Sequence, residues 1–353
     1  MSAVDEVSES GGEGPRPGTD RMGRIARLVS AFGREAAERL GDARVAVVGA
    51  GGTGSPAIEV LARAGVGHII SVDPDLFTES NLERVHGSTN GDVAEAPAKV
   101  ALARRHIESI NPLCRVTAIR GRVPQPEVVD EVVHADVVLG CTDQHHSRLA
   151  LSDLATRYLV PFIDCGVGLE GGGGRVTAQV LQLVRFLPAD PCVLCRRMTL
   201  AWRVTQELMT SEDRQTRQAA ALEARERGEA GDAYWHDEVQ LNTVGYLTTV
   251  AGALAAAYAI GWITNRFDPP FSRLQMNISA SFFDVTDVDE SPREDCPCRR
   301  VRGWADQGAV DALITAPLHW PAPVQLARAP WPEEGSSSRS TLSMDAIKSG
   351  EMG

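Results

Sequence analysis

The chain has 353 residues, of which 43% are hydrophobic and 23% charged, a composition typical of a soluble globular protein with one large α/β domain or two small ones. Its formal net charge of −12 excludes a nucleic-acid scaffold, because binding to phosphate backbones needs a basic surface. Seven cysteines are too few for a disulfide scaffold, and residues 1–20 lack the apolar core of a secretory signal, so we expect a cytoplasmic protein with reduced thiols.

Composition predicts disorder at both ends of the chain. Residues 1–20 are rich in glycine and acids, and the chain from about residue 321 onward is rich in proline and serine. Between them, five apolar runs with intervening helical stretches predict a mostly parallel sheet with helices on both faces, which is a doubly wound, Rossmann-like α/β fold. The runs are 45–49, 68–73, 115–119, 136–141 and 161–165.

Later segments predict an antiparallel continuation of this sheet. Alternating apolar and polar residues begin at Arg175 and again at Arg273. The glycines at 171–174 indicate a hairpin turn. The segment 244–263 is long enough to span a membrane, but its alanines and glycines favour a buried helix. The polar segment 199–238 is expected to be a solvated helix or a mobile crossover.

A glycine turn follows the first predicted strand. The sequence "VVGAGGTG" satisfies G-x-G-x-x-G with Gly49, Gly51 and Gly54, and it also contains Gly52. Asp73 follows Gly54 by nineteen residues, at the end of the next predicted strand, where an acid suits a ribose hydroxyl. This unit predicts a nucleotide site, and by itself it fits either NAD or ATP.

The residues after Asp73 favour ATP. Asn81, Arg84 and Lys99 follow in the chain, and cationic groups can stabilise a triphosphate and its pyrophosphate leaving group. Thr142 and Asp143 come just after another strand, and a carboxylate there could hold magnesium. For hydride transfer, no histidine or tyrosine–lysine pair stands out as an acid–base group.

These four separated elements, in this order, resemble the ThiF/MoeB family of ubiquitin-activating-type adenylyltransferases over about residues 21–298. The resemblance implies an adenylation domain at 21–300 and a C-terminal extension at 301–353. It implies that Asp73 binds ribose, that Asn81, Arg84 and Lys99 contact phosphates, and that Asp143 binds magnesium. It further implies a homodimer in which Arg24 reaches the partner's ATP, although Ile25 and Val85 replace the family's glutamines.

Two cysteine pairs suit a tetrahedral structural zinc. Cys192 and Cys195 form C-x-x-C, and Cys296 and Cys298 form C-x-C, where the family has a second C-x-x-C. Buried free thiols or an occasional disulfide are the alternative. Residues 199–295 contain no cysteine, so we expect adenylation without a thioester in the crossover segment. Cys165 is a weaker candidate for a nucleophile.

The predicted function is ATP-dependent adenylation of the C-terminal carboxylate of a ubiquitin-like or sulfur-carrier protein. Adenylation of a ribosomal peptide and nucleotide binding without catalysis are the alternatives. Among neighbouring residues, His145 and His146 are expected in a solvated turn, and Arg148 in a structural role or a phosphate contact. Arg203 and Gln206 are candidates for contact with adenine.

Overall fold

The computed structural model describes residues 20–237, 243–268, 271–279, 282–286 (backbone only) and 291–327. Its centre is a mixed sheet with strand order β8-β7-β6-β5-β4-β1-β2-β3-β9. The strands are Arg44–Val48 (β1), His68–Val72 (β2), Arg115–Arg120 (β3), Val137–Gly140 (β4), Phe162–Gly172 (β5), Arg175–Phe186 (β6), Arg273–Asn277 (β7), Phe282–Thr286 (β8) and Val324–Gln325 (β9).

The direction of the strands confirms the predicted fold class. β3, β2, β1, β4 and β5 run parallel to one another, whereas β6, β7 and β8 continue the sheet beyond β5 in antiparallel pairs. Strand order reverses between β1 and β4, so their carboxyl ends open a crevice of the kind in which doubly wound folds bind ligands.

Helices cover both faces of the sheet. They are Arg21–Arg24 (α1), Ala26–Phe32 (α2), Arg34–Asp42 (α3), Gly54–Arg63 (α4), Gly91–Glu95 (α5), Lys99–Ile110 (α6), Pro126–Val132 (α7), His145–Tyr158 (α8), Ala201–Leu208 (α9), Ser211–Glu226 (α10), Gly245–Thr264 (α11) and Cys298–Val301 (α12). The helices α4, α6 and α11 share one hydrophobic core with the sheet, and α7 and α8 share a second core on its other face.

Helix α11 is the segment that could be mistaken for a membrane span. By length and composition it could cross a membrane, but 56% of its most apolar 18-residue stretch is buried inside the protein. At Gly252 a side chain would collide with the carbonyl of Thr53, so glycine permits close packing on α4. The prediction of a buried helix is confirmed.

The C-terminal region departs from prediction. Residues 321–327 are ordered, since β9 pairs antiparallel with β3, and Arg104 donates from Nη2 to the Leu326 carbonyl at 2.8 Å. Composition could not predict this order, because the order depends on contacts with β3 and Arg104, which are far away in the chain. Residues 1–19 and 328–353 lie outside the described residues. The hairpin at 171–174 is confirmed, and the crossover contains α9 and α10.

Candidate active site

The glycine turn joins β1 to α4 and needs glycine for steric reasons. Gly49 has a φ of +98°, and a Cβ there would collide with the Cys141 carbonyl. A Cβ at Gly54 would collide with the Gly49 carbonyl, so α4 could not pack so close to β1. Gly51 has open space around it, and a Cβ at Gly52 would meet the Arg84 side chain. The backbone of the turn is therefore accessible to an anion at the start of α4.

Asp73 lies buried at the carboxyl end of β2. Its Oδ2 accepts from the Ala50 amide at 2.8 Å, and its Oδ1 accepts from the Asp75 amide at 2.9 Å. Burial raises the pKa of Asp73, and the nearby charge of Lys99 opposes that rise. The carboxylate is thus fixed against the glycine turn, where it also lines the crevice.

Most of the predicted nucleotide-binding residues line one cavity of about 330 Å³ above the sheet. This volume suits a small-molecule site. The predicted residues that line it are Gly49, Gly51, Gly52, Asp73, Asn81, Arg84, Lys99, Thr142 and Asp143. Gly54 lies behind the turn and shapes it. Residues separated by up to 94 positions, Gly49 and Asp143, therefore meet at the carboxyl edge, as the parallel topology predicts.

Lys99, Asn81 and Arg84, the predicted phosphate contacts, already have polar partners within the protein. Lys99 begins α6, and its Nζ is 2.8 Å from Asp75 Oδ2. The Asn81 Oδ1 accepts from the Thr78 amide at 3.2 Å, which leaves the amide NH₂ of Asn81 as a donor. Arg84 is half-buried, and its Nη1 lies 3.3 Å from Glu83 Oε1. The cavity combines positive side chains with an exposed acid, Asp143, at its rim.

Arg148 lines the cavity and makes a largely buried ion pair in its wall. Its Nε lies 2.8 Å from both oxygens of Asp164, at the end of the parallel part of β5. Burial raises the pKa of Asp164, and Arg148 opposes that rise. Sequence reasoning overlooked Asp164, although a carboxylate that interrupts the apolar run "PFIDC" was a usable signal.

The prediction of a solvated turn at His145 and His146 is wrong, because both residues are buried. Glu207 of α9 caps α8 by accepting from their backbone amides at 2.9 and 2.7 Å. The Nδ1 of His146 lies 3.0 Å from the same carboxylate. Burial raises the pKa of Glu207, but the hydrogen bonds from His146 and the backbone outweigh it, and the net pKa is lowered.

Of the two residues considered for contact with adenine, only one lines the cavity. Arg203 does so, and its Nη1 is 3.0 Å from His145 Nε2. Gln206 does not, because its Nε2 donates to the His236 carbonyl at 3.0 Å. The choice between the two depends on the direction of α9, which the sequence alone did not reveal.

Arg24 lies outside the cavity of its own chain. It donates to the Ile110 carbonyl and lines a separate cavity with Arg21 and Arg63. The structure therefore does not bring Arg24 together with the other predicted site residues, and its action on a partner subunit stays a prediction.

The four predicted zinc ligands lie together. The Sγ atoms of Cys192, Cys195, Cys296 and Cys298 are all within 4.8 Å of one another, with hydrogen-bonded pairs at 3.5, 3.7 and 3.8 Å. Zinc–sulfur bonds of about 2.3 Å place tetrahedral ligands about 3.8 Å apart, so this donor set fits zinc despite the tighter C-x-C pair. None of the four lines the cavity, which indicates a structural role.

The other cysteines near the cavity are poor nucleophiles. Burial raises the pKa of Cys141 to about 12 and raises that of Cys165 well above its ordinary value. Both therefore stay protonated at neutral pH, whereas a nucleophilic cysteine needs a thiolate.

Comparison with known proteins agrees with this geometry. The model of the ThiF family matches residues 23–298. The adenylyltransferase and sulfurtransferase UBA4 of Eremothecium gossypii is 33% identical over 50% of this chain and 38% of its own length. The SAMP-activating enzyme E1 of Haloferax volcanii is 33% identical over 48% of this chain and 58% of its own. The sulfur carrier protein ThiS adenylyltransferase of Bacillus subtilis is 32% identical over 49% of this chain and 50% of its own length.

The chain thus spans between 38% and 58% of the length of these relatives. Among solved structures, Escherichia coli MccB with AMPCPP and MccA has a TM-score of 0.57 at 20% identity, covering 76% of this chain and 72% of MccB. PaaA has a TM-score of 0.54 at 15% identity, and the match covers 80% of this chain and 78% of PaaA. These likenesses show a shared fold.

Proposed function

The chain belongs to the ThiF family, and on that premise we propose that it uses ATP to adenylate the C-terminal carboxylate of a ubiquitin-like or sulfur-carrier protein. One observation carries the proposal: the glycine turn, the buried Asp73, three donors suited to phosphates and Asp143 share one cavity. A dinucleotide site needs only the first two of these features.

The relatives support the choice of substrate class. Two of them are named for activating SAMP and the sulfur carrier ThiS. They match about half of this chain, and the substrate class is inferred from this likeness.

The reaction follows from the charges in the cavity. ATP would place its phosphates at the glycine turn and its ribose at Asp73. A substrate carboxylate attacks the α-phosphorus, a new carboxylate–phosphorus bond forms, and the bond to the β-phosphate oxygen breaks, with pyrophosphate leaving with the electron pair. The attacking carboxylate is already ionised at neutral pH, so the step needs no general base.

Catalysis would then rest on positioning and charge. Arg84 and Lys99 counter the negative charge of the phosphates, and the NH₂ group of Asn81 donates to a phosphate oxygen. A magnesium ion, when bound, would neutralise phosphate charge, and the exposed carboxylate of Asp143 would hold it. The product is an acyl adenylate, with no cysteine in 199–295 to take the acyl group.

Three further parts of the proposal concern architecture. The adenylation domain is assigned to residues 21–300. The four cysteines would hold zinc and tie the segment after β6 to the start of α12. The chain is proposed to act as a homodimer in which Arg24 reaches the partner's ATP, since Arg24 does not reach the cavity of its own chain.

The test is ATP–pyrophosphate exchange with candidate carrier proteins that end in Gly-Gly. Exchange that needs the free C-terminus, with an adenylated carrier seen by mass spectrometry, is the expected result, and a carrier that lacks the two terminal glycines is the control. Exchange only with a ribosomal peptide would replace the substrate class. ATP binding without exchange for any candidate would make the protein a nucleotide-binding protein.

A further inference from the structure

A C-terminal segment beyond the family match runs past the cavity. This strap, residues 317–327, is held at its end by β9, where Gln325 pairs with Ile119 of β3. The Nε2 of Gln125 donates to the Pro321 carbonyl at 2.8 Å, and Arg104 donates to the Leu326 carbonyl. The strap therefore has a defined path at the carboxyl end of β3.

Trp320, near the start of the strap, contacts two residues of the cavity wall. Its ring centroid lies 5.2 Å from that of His146, and the guanidinium carbon of Arg122 lies 5.6 Å from the indole. Arg122 follows β3 and His146 begins α8, and both residues line the cavity. Aromatic and cation–π contacts of this kind restrain both side chains.

His146 is restrained from the other side by Glu207. Because a carboxylate only accepts, Nδ1 is the nitrogen that carries the proton in the neutral ring. Its Nε2 is buried and has no hydrogen-bond partner in the part of the chain that the structure describes. Such an atom marks a place where a water or a ligand group completes the bond.

The position of these residues identifies the end of the cavity that they form. The glycine turn after β1 suits the phosphates, and Asp73 after β2 suits the ribose. Beyond β2 the next strand is β3, and Arg122 and Val123 after it line the cavity. The base of a nucleotide would therefore lie between the end of β3 and the start of α8.

Resting on the proposed function, we propose that the strap supports the base end of the nucleotide pocket from behind its lining residues, and that Trp320 is a positioning residue for adenine, acting through Arg122 and His146. This role extends the site beyond residues 23–298, into a strap whose residues from about 321 onward composition alone assigns to a disordered tail.

The test compares two probes that occupy different ends of the pocket, AMP and pyrophosphate, by calorimetry. Trp320→Ala should weaken AMP binding about tenfold and leave pyrophosphate binding unchanged, because the phosphate end keeps its donors. Trp320→Phe should restore most of the AMP affinity. Leu318→Ala is the matched control, since Leu318 is fully exposed on the same strap.

Equal loss for both probes, or no loss for either, would overturn the inference. Arg122→Ala provides a second route if Trp320→Ala does not fold, and it should reproduce the selective loss of AMP affinity. A wild-type protein that adenylates a carrier while Trp320 variants bind AMP normally refutes the strap's role alone. A wild-type protein that binds no AMP refutes the strap's role, and it refutes both proposals if it also shows no ATP–pyrophosphate exchange with any carrier.

Discussion

The cap that Glu207 provides to α8 makes a quantitative prediction for Glu207→Gln. The substitution keeps the shape of the side chain, but it removes the charge and turns one acceptor into an NH₂ group. The wild-type carboxylate accepts from two backbone amides and from His146, at 2.7–3.0 Å. Hydrogen bonds to charged groups contribute about 1.5–3 kcal/mol each and do not add fully, so we expect a loss of about 2–4 kcal/mol.

The pH dependence of this loss has a definite sign. The pKa of Glu207 is lowered in the folded protein, so its stabilisation is present above the unfolded pKa of about 4.3 and disappears as pH falls through the folded pKa. The difference between wild type and Glu207→Gln should therefore be full at pH 7 and shrink below pH about 4.

Urea unfolding at pH 7 and at pH 3 measures this difference as a shift in the urea concentration at the midpoint of unfolding. Glu226→Gln is the matched control, because Glu226 is an exposed glutamate on the neighbouring helix α10. Wild-type stability in Glu207→Gln at pH 7 would refute the reasoning, and so would a difference that stays constant down to pH 3.

Three other outcomes are expected. Asp143→Ala should abolish adenylate formation, whereas ATP should still bind, though more weakly. AMP transfer measured across magnesium concentrations checks this, and near-normal turnover would contradict the assignment. Purified protein should contain about one zinc per chain by elemental analysis, and Cys192→Ser should lose both the metal and thermal stability, whereas Cys114→Ser should keep the zinc. Mixing Arg24→Ala with Asp143→Ala should restore up to about half of the activity per mixed dimer if Arg24 acts on the partner; no recovery, with subunit exchange shown by mass, would place that action elsewhere.

Local pattern was enough to predict the strands other than β9, the glycine turn and the cysteine pairs. A glycine turn between two apolar runs depends on neighbouring backbone atoms, and Gly49 and Gly54 are required by contacts within that unit and with the Cys141 carbonyl at the adjacent strand end. Parallel strands then place their carboxyl ends at one edge, so the meeting of Asp73 and Asp143 could also be predicted.

Only the tertiary structure revealed the residues that support this edge. Glu207 lies 62 positions from His145, and Trp320 lies farther still from both Arg122 and His146. Neither has a local pattern, because an acid on a polar helix and a tryptophan near prolines are common in unrelated settings. The sequence by itself therefore determined which residues are candidates for a nucleotide site. The packing of α9 and the strap on the sheet decided which residues hold those groups in place, since such contacts depend on distances in space and not on spacing along the chain.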